Sequence, residues 1–271
     1  MSVNKLSKKD LQNHFFSDLG IKSDDVVFFF SGLRGLGFVE KGPLGVLEVL
    51  EEYLVEGGLV IPTFTYSWLN NQEYDPLKTL APLMGSIATE SIGRAGYQRT
   101  SHPNFSVNIF TRSSAQMEAL KPTTNDAFGL GSVFHNIYMN YPETKIILFG
   151  GIFNDCIYRS TFIHTAQQLQ NSWHRFLKPT KDPEGKMPDA TQYVRYLSLT
   201  EYLNVNRKAP NRNFTFPLLE NFEEYGRDLL SQKMIKRVKI GYSESRMVTA
   251  RDTINTFRMG LKKNQDYCVN V

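Results

Sequence analysis

The sequence predicts an α/β protein with a smaller, mixed C-terminal part, and three observations carry that prediction. Val26 to Phe30 is an unbroken apolar run, Pro43 opens a stretch with one apolar stripe, and Leu59-Val60-Ile61 is a second short apolar run. Strand, glycine-rich turn, helix and strand in that order make one βαβ unit. The 271 residues suffice for a sizeable core. A hydrophobic content of 41% with 21% charged residues sets the chain among globular proteins rather than disordered or fibrous ones. No apolar run reaches the roughly 18–20 residues of a membrane helix, and Met1 to Leu6 carries no apolar signal core. Two cysteines far apart, Cys156 and Cys268, do not make a disulfide framework, so a reducing cytoplasm is expected. The net charge of +4 suits a small anionic ligand, and no Lys/Arg block implies a nucleic-acid surface.

Each element follows from local signals. Ser7 with Asp10 forms an S-x-x-D box that starts a helix to Leu19, and Gly20 ends it. Val26 to Phe30 is apolar at every position, as a strand buried on both faces must be. Ser31-Gly32-Leu33-Arg34-Gly35-Leu36-Gly37 is the turn after it. Leu47, Leu50 and Leu54 line one face of the helix that Pro43 opens, and Gly57-Gly58 stops it. Residues 63–83 form a long polar and aromatic loop. Met84 to Ile92, 114–120 and 132–140 are helical, and Ser106 to Thr111 and Lys145 to Phe149 are strands. Weak alternation from 172 to 199 predicts a meander, and two helical stretches are expected around Met234 to Ile240.

Three constellations carry chemistry, each beside a plainer reading. In the 31–37 turn, glycines let the backbone approach a ligand, and Arg34 adds a fixed positive charge near the next helix start. The spacing is neither G-x-G-x-x-G nor a P-loop, so a tight βα turn remains the alternative. In Arg99-Thr100-Ser101-His102-Pro103-Asn104-Phe105-Ser106, a histidine held before proline sits among hydroxyls, in a functional or a structural role. The third runs from Asn154-Asp155 to His164, directly after Gly150-Gly151 at the end of a strand. Ligands of α/β sheets bind beyond strand carboxyl ends, and histidine is suited to take a proton near neutral pH. The alternative is a histidine packed on a helix face. His174, in Trp173-His174-Arg175-Phe176, reads as structural, and neither a metal-ligand spacing nor a G-x-S-x-G elbow is present.

Taken in order, the motifs resemble the aminoglycoside 3-N-acetyltransferase family over roughly residues 22–178. They are Phe30 to Gly37, Ile61-Pro62-Thr63-Phe64-Thr65, Tyr74-Asp75-Pro76, Met84-Gly85-Ser86 with Glu90, Arg99 to Pro103 with Ser106, Phe128-Gly129-Leu130-Gly131-Ser132, and Thr161 to Ala166. The resemblance implies a single domain with a central mixed sheet flanked by helices, and residues 179–271 shaping the acceptor pocket. It implies direct acyl transfer from acetyl-CoA, or a related acyl-CoA, to a small amine, without a metal. His164 is then the general base. Ser31, Gly32, Leu33, Arg34, Arg99, Ser101, His102, Ser106, Phe128 and Gly131 would line the CoA site. Thr65, Tyr66, Asp75 and Glu90 would face the acceptor. The partners implied are CoA and the amine, with a homodimer allowed and neither nucleic acid nor membrane.

Two positions depart from the family's pattern. Phe30 stands where members carry a histidine, and Gln167 stands where they carry a glutamate three residues after the catalytic histidine. An amide holds an imidazole but offers no charge to the imidazolium, so His164 is expected to be a weaker base unless another acid, such as Asp155, substitutes. Loss of negative charge also disfavours a polycationic aminoglycoside and points to an amino sugar or a nucleotide-linked amino sugar. The rivals are a true aminoglycoside acetyltransferase, a silent homologue that binds CoA or a sugar, and an unrelated nucleotide-binding α/β protein.

Overall fold

Side-chain alternation along the first long strand sets out the layers. In the computed structural model, which describes residues 5–150, 160–205 and 215–270, Val27 and Phe29 point into one apolar cluster and Phe28 into another. Both faces are covered, which is why the run holds no polar residue.

Chain order begins with β1 (Lys5–Leu6) and α1 (Lys8–Gln12). Ser7 caps α1, and Asp10 returns the bond to the Ser7 backbone, as the box predicts. The helix then widens into a π-helical segment, Asn13–Asp18, where the Leu19 N–H donates to the His14 carbonyl. This seats Phe15, Leu19 and Ile21 in the core. β2 (Val26–Ser31) follows, then a 3₁₀ turn at Leu33–Gly35 and β3 (Phe38–Val39), which pairs parallel with β1. α2 (Gly42–Tyr53) buries Leu47 and Leu50, and its C-cap Leu54 is buried with them. It leads to β4 (Gly58–Pro62), parallel to β2, which completes the expected βαβ unit. After the 63–83 loop come α3 (Ser86–Ser91), β5 (Tyr97–Arg99), β6 (Val107–Thr111), α4 (Ser114–Leu120), α5 (Val133–Asn140) and β7 (Lys145–Phe149).

The later elements are α6 (Ser160–Leu169), an antiparallel hairpin of β8 (Arg175–Thr180) and β9 (Ala190–Arg195), α7 (Leu199–Val205), β10 (Leu219–Glu220) and α8 (Glu223–Ser231). They close with β11 (Lys236–Ile240), β12 (Ser243–Thr249), α9 (Ala250–Lys263) and β13 (Val269–Asn270). The hairpin is the meander expected near 172–199. The helical expectation at Met234 to Ile240 is corrected: α8 and α9 flank this stretch, and residues 236–240 are a strand. Lys236-Arg237-Val238-Lys239-Ile240 alternates with period two, and Gly241 (φ 59°) turns it directly into β12.

Seven strands form the main sheet in the order β11-β12-β7-β2-β4-β6-β5. β2 runs parallel to β4 and β7, and the remaining pairings are antiparallel, so the sheet is mixed. One face packs on α2, α3 and the π-helical segment through Leu50, Ile87 and Phe15. The other packs on α4, α5, α6, α8 and α9 through Leu120, Phe134, Phe162, Leu229 and Phe257. Backbone meets backbone where the 33–36 turn docks on the β11–β12 hairpin: a Cβ at Gly241 would lie 2.1 Å from the Leu36 carbonyl oxygen. Among the described residues, no helix is long and apolar enough to cross a membrane.

Candidate active site

His164 sits in the second turn of α6, on the sheet face opposite α2. Its ring is half-buried and meets Phe128 edge-on at 5.2 Å, with Phe222 at 6.5 Å. Nδ1 lies 2.9 Å from Gln167 Oε1, one helical turn along. The Gln167 amide nitrogen donates to Glu220 Oε1 at 2.6 Å. Glu220 comes from β10, far away in sequence. Its carboxylate accepts from Arg175 Nε at 2.9 Å and Nη2 at 2.6 Å, and pairs with His174 Nε2 at 3.2 Å. Arg175 also donates to the Tyr193 carbonyl at 2.5 Å, and its Nη2 lies 3.5 Å from His164 Nε2.

The electrostatics follow from this packing. Burial alone would push the Glu220 carboxyl up, but the Arg175 guanidinium, aided by His174, holds it well below the usual carboxylate range. The His164 imidazole is pushed down to about 3, first by burial and then by Arg175, against the opposing pull of Glu220 and Gln167. At neutral pH His164 is therefore an uncharged ring.

A chain of aromatic contacts joins the predicted base to two other predicted groups. Phe128 packs on Phe105 at 4.8 Å, and Phe105 on Tyr66 at 5.2 Å. The Phe128 loop is fixed by Asp126, whose Oδ1 accepts from the Phe128 and Gly129 N–H groups and whose Oδ2 accepts from Gln168 on α6. Gly131 completes that loop at φ 78°, packed on Thr123. Phe30 joins the same apolar cluster through Phe64, at 6.3 Å.

A second group surrounds Arg99. Its Nε donates to Thr63 Oγ1 and Ser106 Oγ, its Nη1 to the Pro76 and Thr79 carbonyls, and its Nη2 to the Thr63 carbonyl. The guanidinium also lies over the Tyr74 ring at 5.2 Å. Arg99 thus ties the 63–83 loop to the end of β4. His102 is buried, accepts at Nδ1 from the Asn104 and Phe105 N–H groups, and donates from Nε2 to the Thr191 carbonyl. Burial pushes its imidazole down to about 4. Thr65 Oγ1 donates to the Pro103 carbonyl and holds the two loops together. Ser101 is exposed.

The remaining predicted residues lie apart. Ser31 ends β2 and Gly32 follows it, with its N–H spent on the Phe149 carbonyl at 2.8 Å. Leu33 and exposed Arg34 border an open concavity of about 530 Å³ with Phe38, Lys41 and Gly42, and this concavity does not extend to His164. Asp75 shapes its own loop by accepting from the Leu77 N–H. Glu90 is exposed on α3, across the sheet from His164. Asp155 lies outside the described residues. His174 reads as structural in the sequence, and neither Arg175 nor Glu220 is marked there as a site residue. The adjacent basic pair His174-Arg175 was the available signal, because two buried basic side chains demand a carboxylate.

The family model described as Aminoglycoside 3-N-acetyltransferase matches residues 29–261. No curated protein matches the sequence. Among solved structures, the aminoglycoside acetyltransferase AAC(3)-IVa apoenzyme is similar at 18% identity and a TM-score of 0.74, covering 99% of this chain and 93% of that one. AAC-VIa bound to sisomicin matches at 21% identity and 0.71, covering 95% and 97%. AAC-IIIb in a binary complex with CoASH matches at 15% identity and 0.69, covering 96% and 97%. At these identities the likeness is one of fold.

Proposed function

This chain belongs to the aminoglycoside 3-N-acetyltransferase family, and from that premise we propose that it moves an acetyl or related acyl group from acyl-CoA to a primary amine, with His164 as the general base. One observation carries the reading of the base: a neutral imidazole, oriented through Gln167, stands half-buried between the Phe128 and Phe222 rings.

The chemistry is a direct displacement. The neutral amine attacks the thioester carbonyl carbon, a C–N bond forms, and the carbonyl oxygen takes the negative charge. The attacking nitrogen becomes far more acidic once bonded, so a weak base suffices at that stage, and His164 takes its proton. The C–S bond then breaks, and CoA leaves as a thiolate that takes up a proton. The oxyanion calls for N–H donors; in the 31–37 turn those of Gly32, Gly35 and Leu36 are already spent on the Phe149, Gly32 and Leu33 carbonyls. CoA supplies the activated acyl group. Ser31, Leu33, Arg34 and the Phe128–Gly131 loop bind or align it, while Arg99, Ser106 and His102 hold the loops that do so.

The acceptor we propose is an amino sugar or a nucleotide-linked amino sugar. The carboxylate that reaches the His164 cluster, Glu220, is neutralised by Arg175, so it leaves no net negative charge for a polycation. An amine of lower pKa also suits a base as weak as His164. An aminoglycoside acceptor is the second reading, favoured by family membership and by the sisomicin complex of AAC-VIa.

The test is release of free thiol from acetyl-CoA with a panel of aminoglycosides and amino sugars. Turnover on amino sugars is expected to drop about 100-fold or more in His164→Ala, with CoA binding retained. Rapid turnover of aminoglycosides alone would reject the proposed acceptor. Undiminished turnover by His164→Ala would reject the base.

A further inference from the structure

Gln167 looks like a weakened acid when it is considered beside His164 alone. Its second neighbour changes that reading. Glu220 is 6% exposed and held as a carboxylate by the two-pronged Arg175 contact. A carboxylate only accepts hydrogen bonds. The end of Gln167 that faces it at 2.6 Å must therefore be the NH2 group. That turns Oε1 toward His164 Nδ1 at 2.9 Å, and an amide oxygen only accepts. The proton of the neutral ring must then sit on Nδ1, leaving a lone pair on Nε2. Arg175 Nη2, a donor 3.5 Å from Nε2, imposes the same polarity from the other side.

We propose that Glu220 is a positioning residue that fixes the tautomer of His164 by orienting the Gln167 amide. The proposal rests on the reading of His164 as the base, since a base must keep a lone pair on the ring nitrogen that takes the proton, here Nε2, which Arg175 Nη2 approaches only at 3.5 Å. Glutamine is then the side chain this position needs, because it must accept from a histidine and donate to an acid at once. A glutamate at 167 would instead set two carboxylates against each other at the Glu220 contact. The pairing also explains why the acid is absent from α6: it enters from β10, paired with β13 and anchored on the β8 arginine.

A swap of the two side chains tests this. In Gln167→Glu with Glu220→Gln, the new glutamate accepts from His164 and from the new amide, whose oxygen keeps the Arg175 Nη2 bond, while the Arg175 Nε bond to the Oε1 position is given up. Ring 15N shifts of His164 at neutral pH, assigned by loss of its signals in His164→Gln, report the tautomer without any acceptor. The wild type is expected to be wholly Nδ1–H. Glu220→Gln should give mixed tautomers, and the swap should restore Nδ1–H. Thiol release should fall about 10–100-fold in each single variant at similar KM for acyl-CoA and recover in the swap.

Should Glu220→Gln not fold because Arg175 is left unpaired, Arg175→Gln with Glu220→Gln removes both charges, and mixed tautomers are expected there too. A ring that stays wholly Nδ1–H without Glu220, or a swap that restores neither signal nor turnover, overturns the proposal. If His164→Gln keeps full turnover, the base reading fails on its own, while the 15N shifts still decide whether Glu220 sets the tautomer.

Discussion

His102 and His164 show how far a residue's neighbours outweigh its type. Both fold as neutral rings, at about 4 and about 3 against 6.5 in the ordinary state. Because the folded values lie below the unfolded one, protons prefer the unfolded chain as the pH drops. The stability these rings contribute is complete above about pH 6.5 and is lost progressively toward pH 4 and 3. For His102, which is 8% exposed, the slope is about 1.4 kcal/mol per pH unit within that window. Urea unfolding at pH 7.5 and pH 5 is expected to show that loss, and His102→Gln should flatten the slope at the cost of some stability at neutral pH. In sequence, a histidine before proline among hydroxyls reads equally as function or scaffold, and the bond to the Thr191 carbonyl of another hairpin adds a scaffold role that no local signal marks. His164 and Gln167 were legible because both sit on one helix, a turn apart. Glu220 was not, since nothing within Leu219-Glu220-Asn221 marks a partner more than fifty positions back.

Elements with local signatures were legible nearly to their ends. The capping box set α1, and apolar runs set β2, β4 and β7, because burial on both faces leaves no room for polar residues. The π-helical widening after α1 was not, since its cause is the tertiary seating of Phe15 and Leu19. The β11–β12 hairpin was misjudged because five alternating residues compete with two strong helices beside them. Its turn carries a measurable consequence. Gly241 combines φ 59° with a Leu36 carbonyl where a side chain would stand, whereas Gly185 has φ 68° and open space around it. Gly185→Ala should cost about 1–2 kcal/mol for backbone conformation alone. Gly241→Ala is expected to cost more, about 2–4 kcal/mol, in paired urea titrations.

Across the whole molecule, the order of strands was the least legible level. The βαβ unit fixes one pairing, β2 with β4, while β12 reaches β7 from about a hundred residues away, a pairing that leaves no trace in local composition. The family motifs compensated, because they report a fold through ligand-binding loops rather than through packing. If those loops hold CoA, the ligand must bias folding: at a concentration 100 times its dissociation constant it should add about 2.7 kcal/mol, visible as a raised Tm. No shift at millimolar CoA would argue against the donor. The sheet's two margins also govern what the protein does in company. β5 is three residues long, and β11 presents Lys236, Arg237 and Lys239 outward. A further strand laid along β11 would bring a second copy's lysines against its own, so the sheet resists being extended into a filament. The same charge works against two copies joining rim to rim along β11.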